Sequence, residues 1–168
     1  MDKEILSKYS KGIIASSGCP SGIIQTRLLL GQFDEALRAA GELQDIFGRD
    51  NFYIEFMDHG LNIERQVTDG LLDIAKKLNA PLLATNDSHY VRAEDAGAQD
   101  AMLCINSGST LDEPGRFKFD GTGYYLKSAE EMRELFKDLP EACDNTLEIA
   151  ERLSLIHISE PTRLLSIS

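Results

Sequence analysis

Apolar side chains recur along this chain at two spacings, and each spacing marks a kind of element. Residues 33–47 carry apolar positions three and four apart and are followed by Gly48, so they predict a helix that stops at a glycine. Residues 62–78 repeat the spacing and predict a longer helix with one apolar stripe. Residues 23–30 predict a shorter helix of the same kind.

Three brief runs flank these helices and have the composition of strands. Residues 12–16, 51–57 and 81–85 are mostly apolar and rich in β-branched, aromatic or aliphatic side chains, so each predicts a strand. Strands that alternate with helices pair in parallel, because a crossover must carry the chain back along the sheet. The order predicts an α/β fold with a parallel sheet. Three strands do not close a barrel, so we expect them to be part of one.

The second half of the chain predicts mostly helices joined by a loop. Ser128 and Glu131 have the spacing of a capping box, and Pro140 suits the first turn of a helix. The predicted elements are a helix at 93–105, a loop at 111–123, a short strand at 124–127, a helix ending at 136 and a helix from 140 to about 152.

Composition narrows the class of protein. The chain has 168 residues, of which 42% are hydrophobic and 27% charged, as in ordinary globular domains. A formal net charge of −11 argues against a general nucleic-acid-binding surface, so any DNA contact would be local or made through metal ions. Three widely spaced cysteines indicate a reducing, cytoplasmic location. The sequence contains no run long enough to span a membrane and no signal-peptide pattern at its start.

The last residues break the pattern of the rest. From Leu153 the chain has no helical stripe and no cap, and it resembles the translation of a sequencing adapter read in frame. We therefore interpret residues 153–168 as a scar that is not native, and we exclude His157 from the candidate ligands. On this interpretation the chain is a gene fragment; the alternative is a genuine unstructured tail.

Three side chains of types that can bind metal ions follow two of the predicted strands. Asp87 and His89 come just after residues 81–85, and alternate residues of a strand point to the same side. Carboxylate and imidazole suit zinc, manganese or iron. The alternative is that Asp87 caps the next helix and His89 is an ordinary polar residue. Cys19 follows residues 12–16 in an equivalent place, although a lone cysteine is more often a small buried side chain.

Other polar residues leave their roles open. His59, before Gly60, is a ligand, a phosphate contact or, most simply, a turn residue. Arg116 and Lys118, which alternate with two phenylalanines, are candidates for contact with a nucleic-acid backbone, and a solvated loop explains them equally well. Cys104 and Cys143 fall on helical stripes and are expected in the core.

Five stretches of the chain carry a further signal: residues 12–22, 53–60, 84–90, 125–128 and 138–152. In this order they resemble the family of bacterial replicative DNA polymerase III alpha subunits, most closely the actinobacterial type. The resemblance implies the later part of an amino-terminal polymerase-and-histidinol-phosphatase (PHP) domain, an irregular (β/α)7 barrel. Residues 1–110 would belong to that barrel and residues 111–152 to a link toward the polymerase palm.

The resemblance also implies a function and a metal site. Cys19, Asp87 and His89 match three ligand positions of the family, which bind zinc or manganese and support a 3′–5′ proofreading exonuclease in some members and a structural role in others. The whole protein would use magnesium at its polymerase site, which has no catalytic residue in this chain. Its expected partners are primer-template DNA, deoxynucleoside triphosphates, the sliding clamp and the proofreading subunit, with no membrane.

The chain departs from the family pattern at several positions. It has no His-x-His pair, Ile23 stands where an acid is common, and Gln99 stands where a histidine is common. We therefore expect the chain alone to be inactive as a nuclease and as a polymerase. The alternatives are a separate phosphoesterase of the histidinol-phosphatase kind and a non-catalytic scaffold. The extension over residues 117–152 favours the polymerase family over the phosphoesterase.

Overall fold

A computed structural model describes residues 3–153 of the chain. This range contains three strands, each preceded and followed by a helix, and seven helices in all, with short 3₁₀ turns at Arg49–Asn51 and Ala93–Asp95. The elements in chain order are α1 (Lys3–Tyr9), β1 (Ala15–Ser16), α2 (Ile23–Leu29), α3 (Phe33–Phe47), β2 (Phe52–Phe56), α4 (Asn62–Leu78), β3 (Leu82–Ala84), α5 (Ala96–Ser107), α6 (Ala129–Leu135) and α7 (Pro140–Arg152).

The three strands form a parallel sheet in the order β1-β2-β3. Ala15 pairs with Phe52 on one side of the central strand, and Ile54 pairs with Leu82 on the other. All five residues of β2 are buried, as expected for the middle strand of a covered parallel sheet. The α/β class and the parallel pairing predicted from the sequence are therefore confirmed within residues 3–153.

A single apolar core joins the sheet to helices α2, α3 and α4. Ile24, Ile54 and Ile74 are fully buried in it, one from each of two helices and the central strand. Gly70 lies inside α4, where a Cβ atom would come within 2.7 Å of the Leu28 side chain. The glycine costs helix propensity but lets α2 and α4 approach each other closely.

Helix α7 lies along β3 and protects that edge of the sheet. Asn145 donates a hydrogen bond from Nδ2 to the backbone carbonyl of Leu82 at 2.7 Å. At the end of the helix, Arg152 donates to the hydroxyl of Tyr53 at 2.8 Å and to the side chain of Asn51. An edge strand with an occupied carbonyl is a poorer template for pairing with another chain.

Most predicted elements agree with the structure, and the strand predicted at 12–16 is confirmed only over Ala15–Ser16. Helices α3, α4 and α7 have the predicted bounds, and the capping box of Ser128 and Glu131 opens α6. The strand predicted at 124–127 is wrong: Tyr125 makes only an isolated parallel bridge with Tyr90, because the segment meets a loop rather than a strand. Residues 93–95 form a 3₁₀ turn before α5, and α1 was not predicted.

No helix within residues 3–153 is long and apolar enough to cross a membrane. The predicted scar at 153–168 and the exclusion of His157 lie, apart from Leu153, outside the described residues and stay predictions.

Candidate metal site at the carboxyl end of the sheet

Asp87 and His89 lie close together just beyond the end of β3. The Oδ2 atom of Asp87 is 3.3 Å from Nε2 of His89. The Asp87 side chain is 44% exposed and that of His89 is 35% exposed, so both are accessible from solvent. Two ligands bound at about 2.0–2.2 Å to a tetrahedral ion lie about 3.4 Å apart, so this pair fits a shared ion.

Asp87 has the left-handed backbone conformation, with φ of 45°. Aspartate and asparagine tolerate this region better than other residues with a Cβ atom, but it remains uncommon. The turn breaks the extended course of the chain after β3 and sets Asp87 opposite His89. Backbone strain of this kind is concentrated at functional sites.

Cys19 follows β1 in the loop between Gly18 and Gly22. The loop is closed by a backbone hydrogen bond from Gly22 to the carbonyl of Cys19 at 2.7 Å, and Gly18 has a φ of +79° that favours glycine. Strands β1 and β3 flank β2, so their ends lie about 10 Å apart, two strand spacings. Within residues 3–153, accordingly, no three ligand side chains converge on one point.

Glu55 lies between the two flanking strands at the same end of the sheet. Its carboxylate accepts a hydrogen bond from the Ser16 hydroxyl at the end of β1 and one from the Thr85 hydroxyl, 2.6 Å away, after β3. The residue is 8% exposed. A buried carboxylate bonded to both neighbouring strands fixes the relative position of the segments that carry Cys19 and Asp87.

His59 is held inside the protein by two acceptors. Its Nδ1 atom is 2.6 Å from Glu64, and its Nε2 atom is 2.8 Å from the carbonyl oxygen of Asn86. Glu64 also accepts from the backbone amides of His59 and Leu61 at the start of α4. Because both ring nitrogens face acceptors, His59 serves this turn as a structural residue, which agrees with the simplest of its predicted roles.

Asn86 connects the loop after β3 to the segment around residue 125. Its Nδ2 group donates to the carbonyls of Tyr125 and Gly123 at 2.7 and 3.2 Å, and its Oδ1 atom accepts from Lys127 at 2.6 Å. Burial lowers the pKa of the Lys127 ammonium group, against the opposing effect of nearby carboxylates such as Glu131. This network holds the residue immediately before Asp87 in place.

Aromatic rings form one side of the candidate site. Phe119 lies against the His89 ring with centroids 4.5 Å apart and against Tyr124 at 4.7 Å. Tyr124 in turn stacks on His59 at 4.1 Å, and its backbone carbonyl accepts from the amide of His89 at 2.8 Å. These contacts restrict the orientation of the His89 ring while its polar edge faces Asp87.

The two residues predicted to touch nucleic acid lie in different surroundings. Arg116 binds Asp100 through two hydrogen bonds of 2.6 Å and donates to the carbonyl of Leu111, and its side chain is 8% exposed. This hydrogen-bonded pair lowers the pKa of the Asp100 carboxyl. Lys118 is exposed at the same loop. Their contact with nucleic acid stays a prediction.

The sequence did not identify Glu64, Asn86 or Lys127, whose hydrogen bonds hold the segments next to Asp87 and His89 in place. Glu64 has a detectable signal, because a glutamate in the first turn of a helix often caps backbone amides. Asn86 directly follows a strand, where a polar side chain is unremarkable. Lys127 lies 41 residues from its partner, so nothing local reveals it.

The PHP domain family matches residues 1–59 of the chain.

Curated relatives carry the comparison through most of the chain. A protein of Saccharopolyspora erythraea named DNA polymerase III subunit alpha is 60% identical over 154 residues, which is 91% of this chain and 13% of that protein. The proteins of the same name from Mycobacterium tuberculosis and Mycobacterium leprae are 57% and 54% identical, over 91% and 96% of this chain and 13% and 14% of their own length.

By sequence, the chain is thus similar along most of its length to the bacterial DNA polymerase III alpha subunits, and the resemblance stated from its motifs is confirmed. It spans about an eighth of the length of these relatives.

Proposed function

We propose that this chain is a segment of a replicative DNA polymerase and contributes metal ligands to a PHP-type site in that protein. The observation that carries the assignment is the 60% identity to a DNA polymerase III subunit alpha over 91% of the chain. The parent protein would copy primer-template DNA with deoxynucleoside triphosphates in the cytoplasm, with magnesium at its polymerase site. The sliding clamp and the proofreading subunit would be its partners.

Asp87 and His89 are the proposed ligands of one zinc or manganese ion. Their 3.3 Å separation fits such an ion, and both side chains reach solvent. Cys19 is proposed as a ligand of a neighbouring ion, because ions in multinuclear sites lie about 3.5–4 Å apart and such a cluster bridges the two strand ends. Further ligands would come from other parts of the parent protein.

Bound divalent ions would supply an acidic water and hold a scissile phosphate, which is the chemistry of phosphodiester hydrolysis. The residues of this chain have positioning roles around that chemistry. Glu55 ties the end of β1 to the end of β3, and Asn86 anchors the loop that carries Asp87. The parent domain would act as a 3′–5′ proofreading exonuclease or keep a structural role.

The finer architecture is part of the same proposal. Residues 1–110 would form the later part of an irregular (β/α)7 barrel, and residues 111–152 would lead toward the palm. The three parallel strands with helices between them are consistent with a portion of such a barrel. A separate phosphoesterase is the less favoured alternative, because the similar proteins are named as polymerase subunits.

The test is a segment exchange in the Saccharopolyspora erythraea alpha subunit. The 154 matching residues are replaced by those of this chain, and primer extension and bound metal are measured. We expect the hybrid to extend primers, and we expect His89→Ala or Cys19→Ala in it to lower the zinc or manganese content. Asp73→Asn on an exposed turn of α4 is the matched control. A folded hybrid without primer extension, or with unchanged metal in both variants, contradicts the proposal.

A further inference from the structure

A cavity of about 230 Å³ is lined in part by Phe119, whose ring also contacts that of His89. Helix α5 and the loop at 118–122 enclose it, and Tyr90, the residue after His89, forms part of its wall. Small-molecule pockets in proteins usually start at about 300 Å³, so this one suits a single planar ring rather than a whole dinucleotide.

The wall of the cavity combines rings with groups that form hydrogen bonds. Tyr90 and Phe119 supply aromatic surface, and Gln99 and Thr122 supply donors and acceptors. Nucleobases are recognised by this combination of stacking and hydrogen bonding to their edges.

Within residues 3–153, one cation at the cavity has no carboxylate bound to it, although the chain carries a formal net charge of −11. Asp100 and Lys118 line the cavity, and Asp100 is already bound by both terminal nitrogens of Arg116. Arg116 is committed to Asp100, so Lys118 is the side chain placed to contact a phosphate.

Phe117 continues the row of rings outward. Its side chain is 65% exposed, and its ring meets that of Phe119 edge-on with centroids 5.7 Å apart. An exposed phenylalanine beside a lysine is the arrangement with which proteins stack the bases of single strands and hold their backbone. The rings of Phe117, Phe119 and His89 make a continuous path from the surface to the candidate metal site.

We propose that Phe117, Lys118 and the cavity lined by Phe119 form a subsite for the end of a single-stranded DNA, with one base stacked on Phe117 and the next in the cavity. The direction of the strand toward Asp87 and His89 rests on the function proposed above. Base stacking and phosphate contact do not depend on a bound metal ion, so the subsite is testable by itself.

The test is binding of fluorescent oligodeoxythymidylate to the full 168-residue chain, measured by anisotropy at low salt in the presence of EDTA. We expect Phe117→Ala to weaken binding about fivefold or more, Phe117→Tyr to preserve it and Lys118→Glu to weaken it. Ile105→Ala is the matched control, since Ile105 is 75% exposed on α5 and does not line the cavity.

An abasic oligonucleotide of the same length separates stacking from charge. We expect the unaltered chain to bind it more weakly than oligodeoxythymidylate and the Phe117→Ala variant to bind the two alike. Three outcomes would each overturn the proposed subsite. They are equal binding of the two oligonucleotides by the unaltered chain, no detectable binding of oligodeoxythymidylate, and unchanged binding by the Phe117→Ala variant. Because EDTA removes divalent ions, these outcomes are independent of metal binding at Asp87 and His89.

Discussion

The two ends of the parallel sheet use polar side chains for different purposes. At the carboxyl end, the buried residues Glu55, Glu64 and Asn86 support an exposed pair, Asp87 and His89. At the amino end, Arg152 lies partly exposed and binds Tyr53 and Asn51 directly. It also lies 3.6 Å from the exposed Glu148, and this ion pair offers no pair of metal-ligand atoms, because a guanidinium group does not bind cations.

A cleft of about 930 Å³ lies at the amino end, between α4 and α7. It is larger than the cavity near His89, but Tyr53, Glu148 and Arg152 in its wall bind one another. Burial and the hydrogen bond that Tyr53 donates to Glu148 raise the pKa of Tyr53, and Arg152 opposes that effect. The contrast shows that the volume of a cavity does not identify the end of the sheet that we propose to bind metal. A buried polar framework beneath accessible ligand atoms is the more informative sign.

The largest effect is expected from Glu64→Ala at the carboxyl end. The change removes the acceptor for His59 Nδ1 and for two backbone amides in a site where Glu64 is 5% exposed. We expect a loss of about 3–5 kcal/mol in the free energy of unfolding, measured by urea denaturation. Asp69→Ala on the exposed side of α4 is the control. Equal losses of unfolding free energy in the two variants would show that Glu64 stabilises the carboxyl end no more than an exposed residue does.

A smaller loss is expected from Asn86→Ala. Two carbonyls and the Lys127 ammonium group lose their partner, which corresponds to about 2–3 kcal/mol of unfolding free energy. Urea denaturation measures the loss, with Glu94→Ala at an exposed position outside this network as the control. If Asn86→Ala is no more destabilising than Glu94→Ala, the network does not support the loop.

Arg152→Ala examines the amino end. Its side chain is 31% exposed, so we expect only about 1–2 kcal/mol of destabilisation despite several hydrogen bonds. Arg152→Lys should recover only part of the loss, since an ammonium group lacks the fork of the guanidinium. Glu151→Ala on the same turn is the control in thermal or urea unfolding. A loss as large as that of Glu64→Ala would remove the difference between the two ends.

The smallest effect concerns the pair of Arg116 and Asp100, and it depends on pH. The pKa of Asp100 is lowered from its ordinary value of 3.8 in the folded chain, so the pair stabilises the fold above that value and loses its effect as pH falls through the lowered pKa. We expect the stability difference between the unaltered chain and Arg116→Gln to be constant at pH 5–7 and to close in acid. A difference that persists in full at pH 2 would contradict this assignment.

The sequence predicts the regular elements well where periodicity is strong. Helices α3 and α4 each carry a long apolar stripe and a clear end at Gly48 or Asn79, and their bounds are as predicted. Residues 124–127 have the aromatic and apolar side chains that are typical of a strand, so the sequence predicts one there. In the structure Tyr125 forms only an isolated bridge, because its partner, Tyr90, lies in a loop.

The candidate site likewise has a part that the sequence predicts and a part that it does not. Asp87 and His89 are two residues apart in the sequence, so their closeness in space follows from the local course of the chain. The hydrogen bonds that hold this pair in place do not follow from the local sequence, because they join distant residues. Lys127 and Asn86 are 41 residues apart, and Thr85 and Glu55 are 30 residues apart. The engagement of Arg116 by Asp100 likewise depends on how the loop at 111–123 folds back on α5.

The central claim is that Asp87 and His89 together bind a divalent metal ion, and imidazole nitrogen chemical shifts measured by NMR test it most directly. Zinc is added to the ¹⁵N-histidine-labelled chain, alone and with Asp87→Asn, a change that keeps the left-handed turn favourable. We expect a coordination shift at His89 that weakens in the variant, while His59, whose nitrogens face Glu64 and Asn86, stays unchanged. No shift at His89, or the same shift in Asp87→Asn, would contradict the claim.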